Sequence, residues 1–248
     1  MTKLILGYWD IRGLAQPIRY MLEYLGVEYE DKRYVERNFW FDVKPNMNLD
    51  FPNLPYIIDG NVRMTQTWAI MKYLARKHAT FCPKTKEEIR NCDMYEEVAR
   101  DLAMPFFMLC YTYDGFDEAK KKFFAETLPK LLDLLEKFLG SSHWMIGDKM
   151  TYVDFYFCEV LDVIQLMTSD CLDKHQGIKK YVERFYALDK IAAYRQSDRF
   201  KKWPFISVER MSEKREENSV IQARVHLSVG MATWIAFKRQ EEEILTKP

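Results

Sequence analysis

The chain has 248 residues, 48% of them hydrophobic and 30% charged, and its 37 Lys and Arg offset its 37 Asp and Glu. That length holds one large domain or two small ones, and the composition is that of an ordinary soluble globular protein. A formal charge of zero offers no global attraction to nucleic acid or to an anionic membrane surface.

In chain order, residues 3–9 form a short apolar run, Lys-Leu-Ile-Leu-Gly-Tyr-Trp, which predicts a strand that carries Tyr8 near its end. Arg12-Gly13 breaks it. Pro17 suits the first turn of a helix, where its missing N–H costs nothing. Ile18, Met21, Leu22 and Leu25 then recur at helical spacing. A second strand is expected over residues 29–34. After a loop, residues 55–60 and 62–65 read as two strands of a hairpin around Asp59-Gly60-Asn61. A helix is predicted to open at Gln66 with Thr65 as its N-cap, turning Ile70, Tyr73 and Leu74 inward. The order βαβ then ββα is thioredoxin-like.

These pieces make a polar cradle. A helix N-terminus presents free N–H groups and the positive end of its dipole, which suits a carboxylate. Gln66 adds an amide there and Thr67 a hydroxyl. A cis peptide at Leu54-Pro55 would turn the N–H and C=O of Leu54 outward, where they can pair with a peptide as an added strand. A trans peptide leaves an ordinary turn.

Residues 79–88 lose periodicity around Pro83 and read as a linker. Helical patterns follow over residues 87–113, 116–139 and from 151 onward. Thr151-x-x-Asp154 resembles a capping box, so Asp154 is read as structural. It leads into the most apolar helix, with Phe155, Val160, Leu161 and Ile164. An all-helical domain on a thioredoxin-like one leaves a cleft between them, a usual place for a substrate. Met104, Phe107 and Tyr111 either line its apolar half with Tyr8 or form a core stripe. Pro105 falls inside a predicted helix and should kink it. Cys82, Cys92, Cys110, Cys158 and Cys171 are odd in number and lack Cys-x-x-Cys spacing, which suggests reduced thiols in the cytoplasm. Cys110 belongs to an apolar run and is expected in the core. The four histidines are scattered, so no metal site is expected. No apolar leader follows Met1, and no run is long enough to span a bilayer.

Residues 7–14 (Gly-Tyr-Trp-Asp-Ile-Arg-Gly-Leu), 49–56 (Leu-Asp-Phe-Pro-Asn-Leu-Pro-Tyr), 65–67 (Thr-Gln-Thr) and 75–78 (Ala-Arg-Lys-His) resemble the cytosolic glutathione transferases, most of all the mu class. Residues 151–155 and 171–173 extend the likeness, which runs from residue 3 to about 207. The resemblance implies a two-domain fold of class α+β/α. A thioredoxin-like glutathione-binding domain would occupy residues 1–82 and an all-α domain with the hydrophobic substrate site residues 89–207. Residues 208–248 would be an extension, helical or disordered.

By the same resemblance Tyr8 is the catalytic tyrosine, whose hydroxyl bonds the glutathione sulfur, with Trp9 and Leu14 beside it. Arg37, Trp40 and Lys44 fall at the family's Arg-x-x-Trp-x-x-x-Lys spacing, and Trp40 and Lys44 would hold the glycyl carboxylate. Asn53 and Leu54 would pair with the cysteinyl backbone. Gln66 and Thr67 would take the γ-glutamyl end, and Asp101 would reach the partner subunit's γ-glutamyl amine. Met104, Phe107 and Tyr111 would contact the electrophile, and Phe51 would be the aromatic key of a homodimer. Reduced glutathione is then a co-substrate, and no further cofactor is expected. The stretch before Trp40 is shorter than the mu-class loop, Asn48 stands where a glycine is usual, and Thr67 where a serine is. The implied activity is conjugation of glutathione to hydrophobic electrophiles, with a carrier of hydrophobic ligands as the alternative.

Overall fold

The protein is described by a computed structural model covering residues 3–112 and 114–206, all within one compact unit, Met1–Val208. The expected extension over residues 208–248 lies outside the described residues.

Four strands form one sheet in the order β2-β1-β3-β4, where β1 is Leu4–Trp9, β2 Tyr29–Tyr34, β3 Tyr56–Asp59 and β4 Val62–Thr65. β1 runs parallel to β2, with Tyr8 opposite Arg33, and antiparallel to β3, with Gly7 opposite Tyr56. Gly7 is required there, because a Cβ on it would lie 2.1 Å from the Tyr56 ring. Helix α1 (Gln16–Leu25) makes the parallel crossover and is buried continuously from Gln16 to Leu22. It packs on α3 (Thr67–Lys77) and also on α7 (Tyr152–Met167) of the helical half, so it is covered on more than one face.

The sequence reading needs three corrections. Helix α3 starts at Thr67, and its N-cap is Gln66, not Thr65. The Thr65 hydroxyl instead donates to the Phe51 carbonyl at 3.2 Å. A short helix, α2 (Arg37–Val43), stands where a loop was expected, anchored by the buried Trp40. The long helix α4 (Lys86–Cys110) runs on through Pro105, which lies five residues before its end. The pattern over 116–139 divides into α5 (Phe116–Lys122), a π-turn over Phe123–Thr127 and α6 (Leu128–Leu139).

The helical half is completed by α7 (Tyr152–Met167), α8 (Gln176–Tyr186) and α9 (Asp189–Gln196). Helix α7 is its axis, with every residue from Tyr152 to Ile164 buried. It starts at a capping box: the Asp154 carboxylate accepts from the Thr151 N–H at 2.7 Å, and also from Met145 N and Tyr181 Oη, both at 2.9 Å. Asp154 is thus structural, as its position before the apolar run suggested. Cys110 is buried, as expected of its apolar run.

Candidate active site

The loop after β1 is tied to the helical half through its backbone and two side chains, Arg12 and Asp10. Arg12 N donates to Pro204 O at 3.0 Å and Gly13 N to Phe205 O at 2.9 Å. The Arg12 guanidinium is fully buried, with Nε on Glu159 Oε1 at 3.0 Å and Nη2 shared between Glu159 and Asp162. Asp162 also receives Arg195 Nη1 at 3.2 Å. The flanking Asp10 carboxylate pairs with Lys201 and Arg33, which hold it below the usual carboxylate range despite partial burial. This loop therefore has little freedom, and it is the loop that touches Tyr8.

Tyr8 is 6% exposed, inside a cluster with Ile11, Ala15, Tyr34, Trp40, Leu54 and Tyr56. Its hydroxyl oxygen accepts the Leu14 N–H at 3.1 Å. A phenol oxygen that already accepts keeps its own hydrogen for another partner. Burial raises the Tyr8 pKa, against the opposing pull of the Leu14 N–H and the Arg19 charge. The group is therefore neutral near pH 7 and has a proton it can donate. The Leu14 carbonyl in turn accepts from Thr67 Oγ1 at 3.1 Å. That bond joins the Tyr8 turn to the first turn of α3.

The remaining cradle residues surround these two points. The Leu54–Pro55 peptide is cis. Leu54 is buried and lies two residues before the start of β3, while Asn53 is half-buried. Gln66 is exposed at the start of α3 with φ +76°, a backbone region that non-glycine residues seldom occupy. Strain of this kind concentrates where a ligand is held. Asn48, in place of the usual glycine, has φ +51°; asparagine is among the few residues that tolerate this.

Trp40 is only 3% exposed and stacks on Tyr56 at 5.9 Å between centroids, so what it offers a ligand is limited to its edge. Arg37 and Lys44 both stand over the Phe41 ring, at 5.4 and 5.9 Å, which concentrates positive charge on one rim. Trp9 is half-buried against Tyr34. Asp101 is exposed on α4, whereas Phe51 is 79% exposed in the loop before β3.

Between the two halves lies a narrow cleft lined by Gly13, Leu14, Phe107, Tyr156, Val160 and Phe205, among others. Of the three expected electrophile contacts, the structure brings Phe107 to this cleft. Met104 and Tyr111 are half-buried on α4 and at its C-cap, outside the cleft's lining. Gly13, Tyr156 and Phe205 were missed by sequence reasoning. Only Gly13 left a signal, as the breaker after β1; the others come from segments 140 and more residues away in the chain.

Two family models match the chain: the N-terminal domain of glutathione S-transferases over residues 5–76 and the C-terminal domain over residues 100–198. Among curated proteins, glutathione S-transferase Mu 1 of Rattus norvegicus is 44% identical over 211 residues, covering 82% of this chain and 95% of the relative. Glutathione S-transferase Mu 3 of Homo sapiens is 43% identical, covering 82% and 92%. Among solved structures, the glutathione S-transferase Blo t 8 superposes with a TM-score of 0.75 at 31% identity, over 82% of this chain and 97% of that one. The pi-class enzyme of Onchocerca volvulus gives 0.71 at 30% identity, over 78% and 92%. The chain belongs to the glutathione S-transferase family. Its relatives at 43–44% identity are mu-class enzymes, and the thioredoxin-like and helical halves are those of that fold.

Proposed function

We propose that this protein conjugates the sulfur of reduced glutathione to hydrophobic electrophiles and that Tyr8 is the group that activates the thiol. The observation that carries the assignment is the buried Tyr8 hydroxyl, fixed as an acceptor by Leu14 N–H with its own proton uncommitted. A thiol with pKa near 8.5 is only a few per cent ionised at pH 7, and half ionisation there needs a shift of about 1.5 units, roughly 2 kcal/mol. One hydrogen bond to a charged group contributes about 1.5–3 kcal/mol. A single well-placed phenol is therefore enough. It donates to the thiolate and takes no proton, so the thiol proton leaves to solvent.

Binding is assigned to the cradle. Gln66 and Thr67, at the dipole end of α3, take the γ-glutamyl carboxylate. Asn53 and Leu54 pair with the cysteinyl backbone, and Lys44, with Arg37 and the Trp40 edge, takes the glycyl carboxylate. Trp9 and Leu14 flank the sulfur. Phe107, with Met104 and Tyr111, faces the electrophile, and no cofactor beyond glutathione is needed. The protein works as a homodimer, in which Phe51 inserts into the second subunit and Asp101 reaches the neighbouring γ-glutamyl amine. The exposure of Phe51 supports this, since a large aromatic in water is a candidate interface anchor. The reading places the enzyme in the cytoplasm. Among the described residues no helix is long and apolar enough to cross a membrane.

The test is a pH titration of thiolate absorbance in the glutathione complex, for wild type and Tyr8→Phe. Ionisation below the solution pKa in wild type, and its loss in the variant, is the expected result. Binding of glutathione with a thiol that titrates as in water would leave a hydrophobic-ligand carrier instead.

A further inference from the structure

Helix α3 begins on a strained residue. Its N-cap Gln66 holds φ +76° and gives the first turn no side-chain cap. A conformation of this kind persists only where the surroundings over-determine it. One tie to the surroundings is the Thr67 hydroxyl on the Leu14 carbonyl, at 3.1 Å. A second is Trp68, the next residue. Its half-buried ring lies on Tyr156 of α7, with centroids 4.4 Å apart and planes at 32°. Tyr152, one turn earlier on α7, meets the same ring edge-on at 6.4 Å.

The next turn of α3 is anchored to the same place. Lys72 Nζ pairs with Glu96 of α4 at 2.7 Å and with Asp93 at 3.1 Å. Glu96 is buried and also accepts from Tyr152 Oη at 2.6 Å. Trp68 and Lys72 stand four residues apart and share one face of α3. Tyr152 is thus common to both ties. They differ in where they act. Lys72 steadies the body of the helix, whereas Trp68 sits two residues from Gln66 and holds the first turn itself.

We propose that Trp68 is a positioning residue of the glutathione site: docked on Tyr156 and Tyr152, it holds the first turn of α3 in the strained form that presents Gln66 and Thr67 to the γ-glutamyl group. The inference rests on the transferase reading. Trp68 touches no substrate in this role and acts through Gln66. A turn already held in its binding geometry is spared the ordering cost that a mobile one meets at each encounter. A loosened turn still reaches the same bound geometry once glutathione is in place. The effect therefore falls on KM for glutathione and not on kcat at saturation.

The test is a double-mutant cycle on KM for glutathione, with chlorodinitrobenzene as the electrophile. Trp68→Leu keeps apolar bulk and removes the ring contact, Trp68→Phe keeps a ring on Tyr156, and Gln66→Gly removes the strain that the contact holds. Trp68→Leu is expected to raise KM about 10-fold, within the range of strain such a residue stores. Its kcat at saturation should be unchanged, and Trp68→Phe should recover most of the affinity. In the Gln66→Gly background Trp68→Leu should add little further. Tyr156→Leu removes the same contact from α7 and should match Trp68→Leu, so the comparison stands if one of the two fails to fold. An unchanged KM, a fall in kcat alone, no recovery with phenylalanine, or full additivity with Gln66→Gly would each overturn the proposal. A wild-type protein that neither binds nor turns over glutathione would instead defeat the transferase reading itself.

Discussion

A Cβ placed on Gly13 would stand 2.7 Å from the hydroxyl oxygen of Tyr8. The two residues are in contact because the turn must bring the Leu14 N–H onto the phenol, and only a residue without a side chain allows that approach. Its φ of +42° adds a second reason for glycine. Gly13→Ala should therefore push the phenol away from the sulfur. The expected result is a loss of kcat/KM of up to about 30-fold, the equivalent of the roughly 2 kcal/mol thiol shift. Stability should fall by about 1 kcal/mol or more, since alanine is strained at positive φ. A thiolate titration beside a thermal melt separates the two effects, and an unchanged titration would show that the contact does not position Tyr8.

Gln66 holds a backbone conformation that glycine adopts freely. Gln66→Gly should relieve strain of order 1 kcal/mol while removing the amide assigned to the γ-glutamyl end. The expected signature is a protein at least as stable as wild type with a raised KM for glutathione and an unchanged kcat at saturation. A lower melting temperature with unaltered KM would show that the conformation serves folding and not the ligand.

Asp154 carries the pH prediction. Burial pushes its carboxyl up to about 6, against the hydrogen bonds it accepts from Met145, Thr151 and Tyr181. A carboxyl raised in the folded state binds its proton more tightly folded than unfolded. Its contribution to stability is thus fully present below the unfolded pKa near 4 and is lost as pH rises through about 6. The stability gap between wild type and Asp154→Asn should narrow by up to about 3 kcal/mol across that window. Denaturant unfolding at pH 4 and pH 7 measures it, and a gap that widens with pH would reverse the assignment.

Arg12 is the buried charge on which the two halves converge. Arg12→Met leaves Glu159 and Asp162 without their main partner in a dry site, and breaking a buried pair from one side costs about 3–5 kcal/mol. The triple replacement with Glu159→Leu and Asp162→Leu should recover most of that, because buried ion pairs are seldom better than well-packed apolar groups. Chemical unfolding of the two variants provides the comparison. Equal losses would mean that the cluster packs as no apolar set can.

The strands and the core helices were legible because their signals are local. Period-two and period-3.6 patterns and the Asp59-Gly60-Asn61 turn depend on neighbours in the chain. Tyr8, Gln66 and the Leu54–Pro55 turn stood out only through their combination in one motif. What escaped depends on distance in sequence. Tyr156 reads as one more apolar residue of α7, and nothing near it reveals that Gly13 and Leu14 face it. Residues 37–43 hid a short helix because one buried tryptophan, not a periodic stripe, holds it down. Thr65 lost the cap of α3 to Gln66 because its hydroxyl is engaged by the Phe51 carbonyl.

The backbone of Leu14 is held on both sides of its Cα, its N–H by Tyr8 and its carbonyl by Thr67. On the proposed assignment it is a strut between the sulfur end and the γ-glutamyl end of the site. Any repositioning of the first turn of α3 to suit a different thiol peptide is passed directly to the phenol. With the proposed roles of Tyr8 and Thr67, co-substrate preference and thiol reactivity would be mechanically linked, and a lineage or an engineer that retunes one would alter the other in the same step.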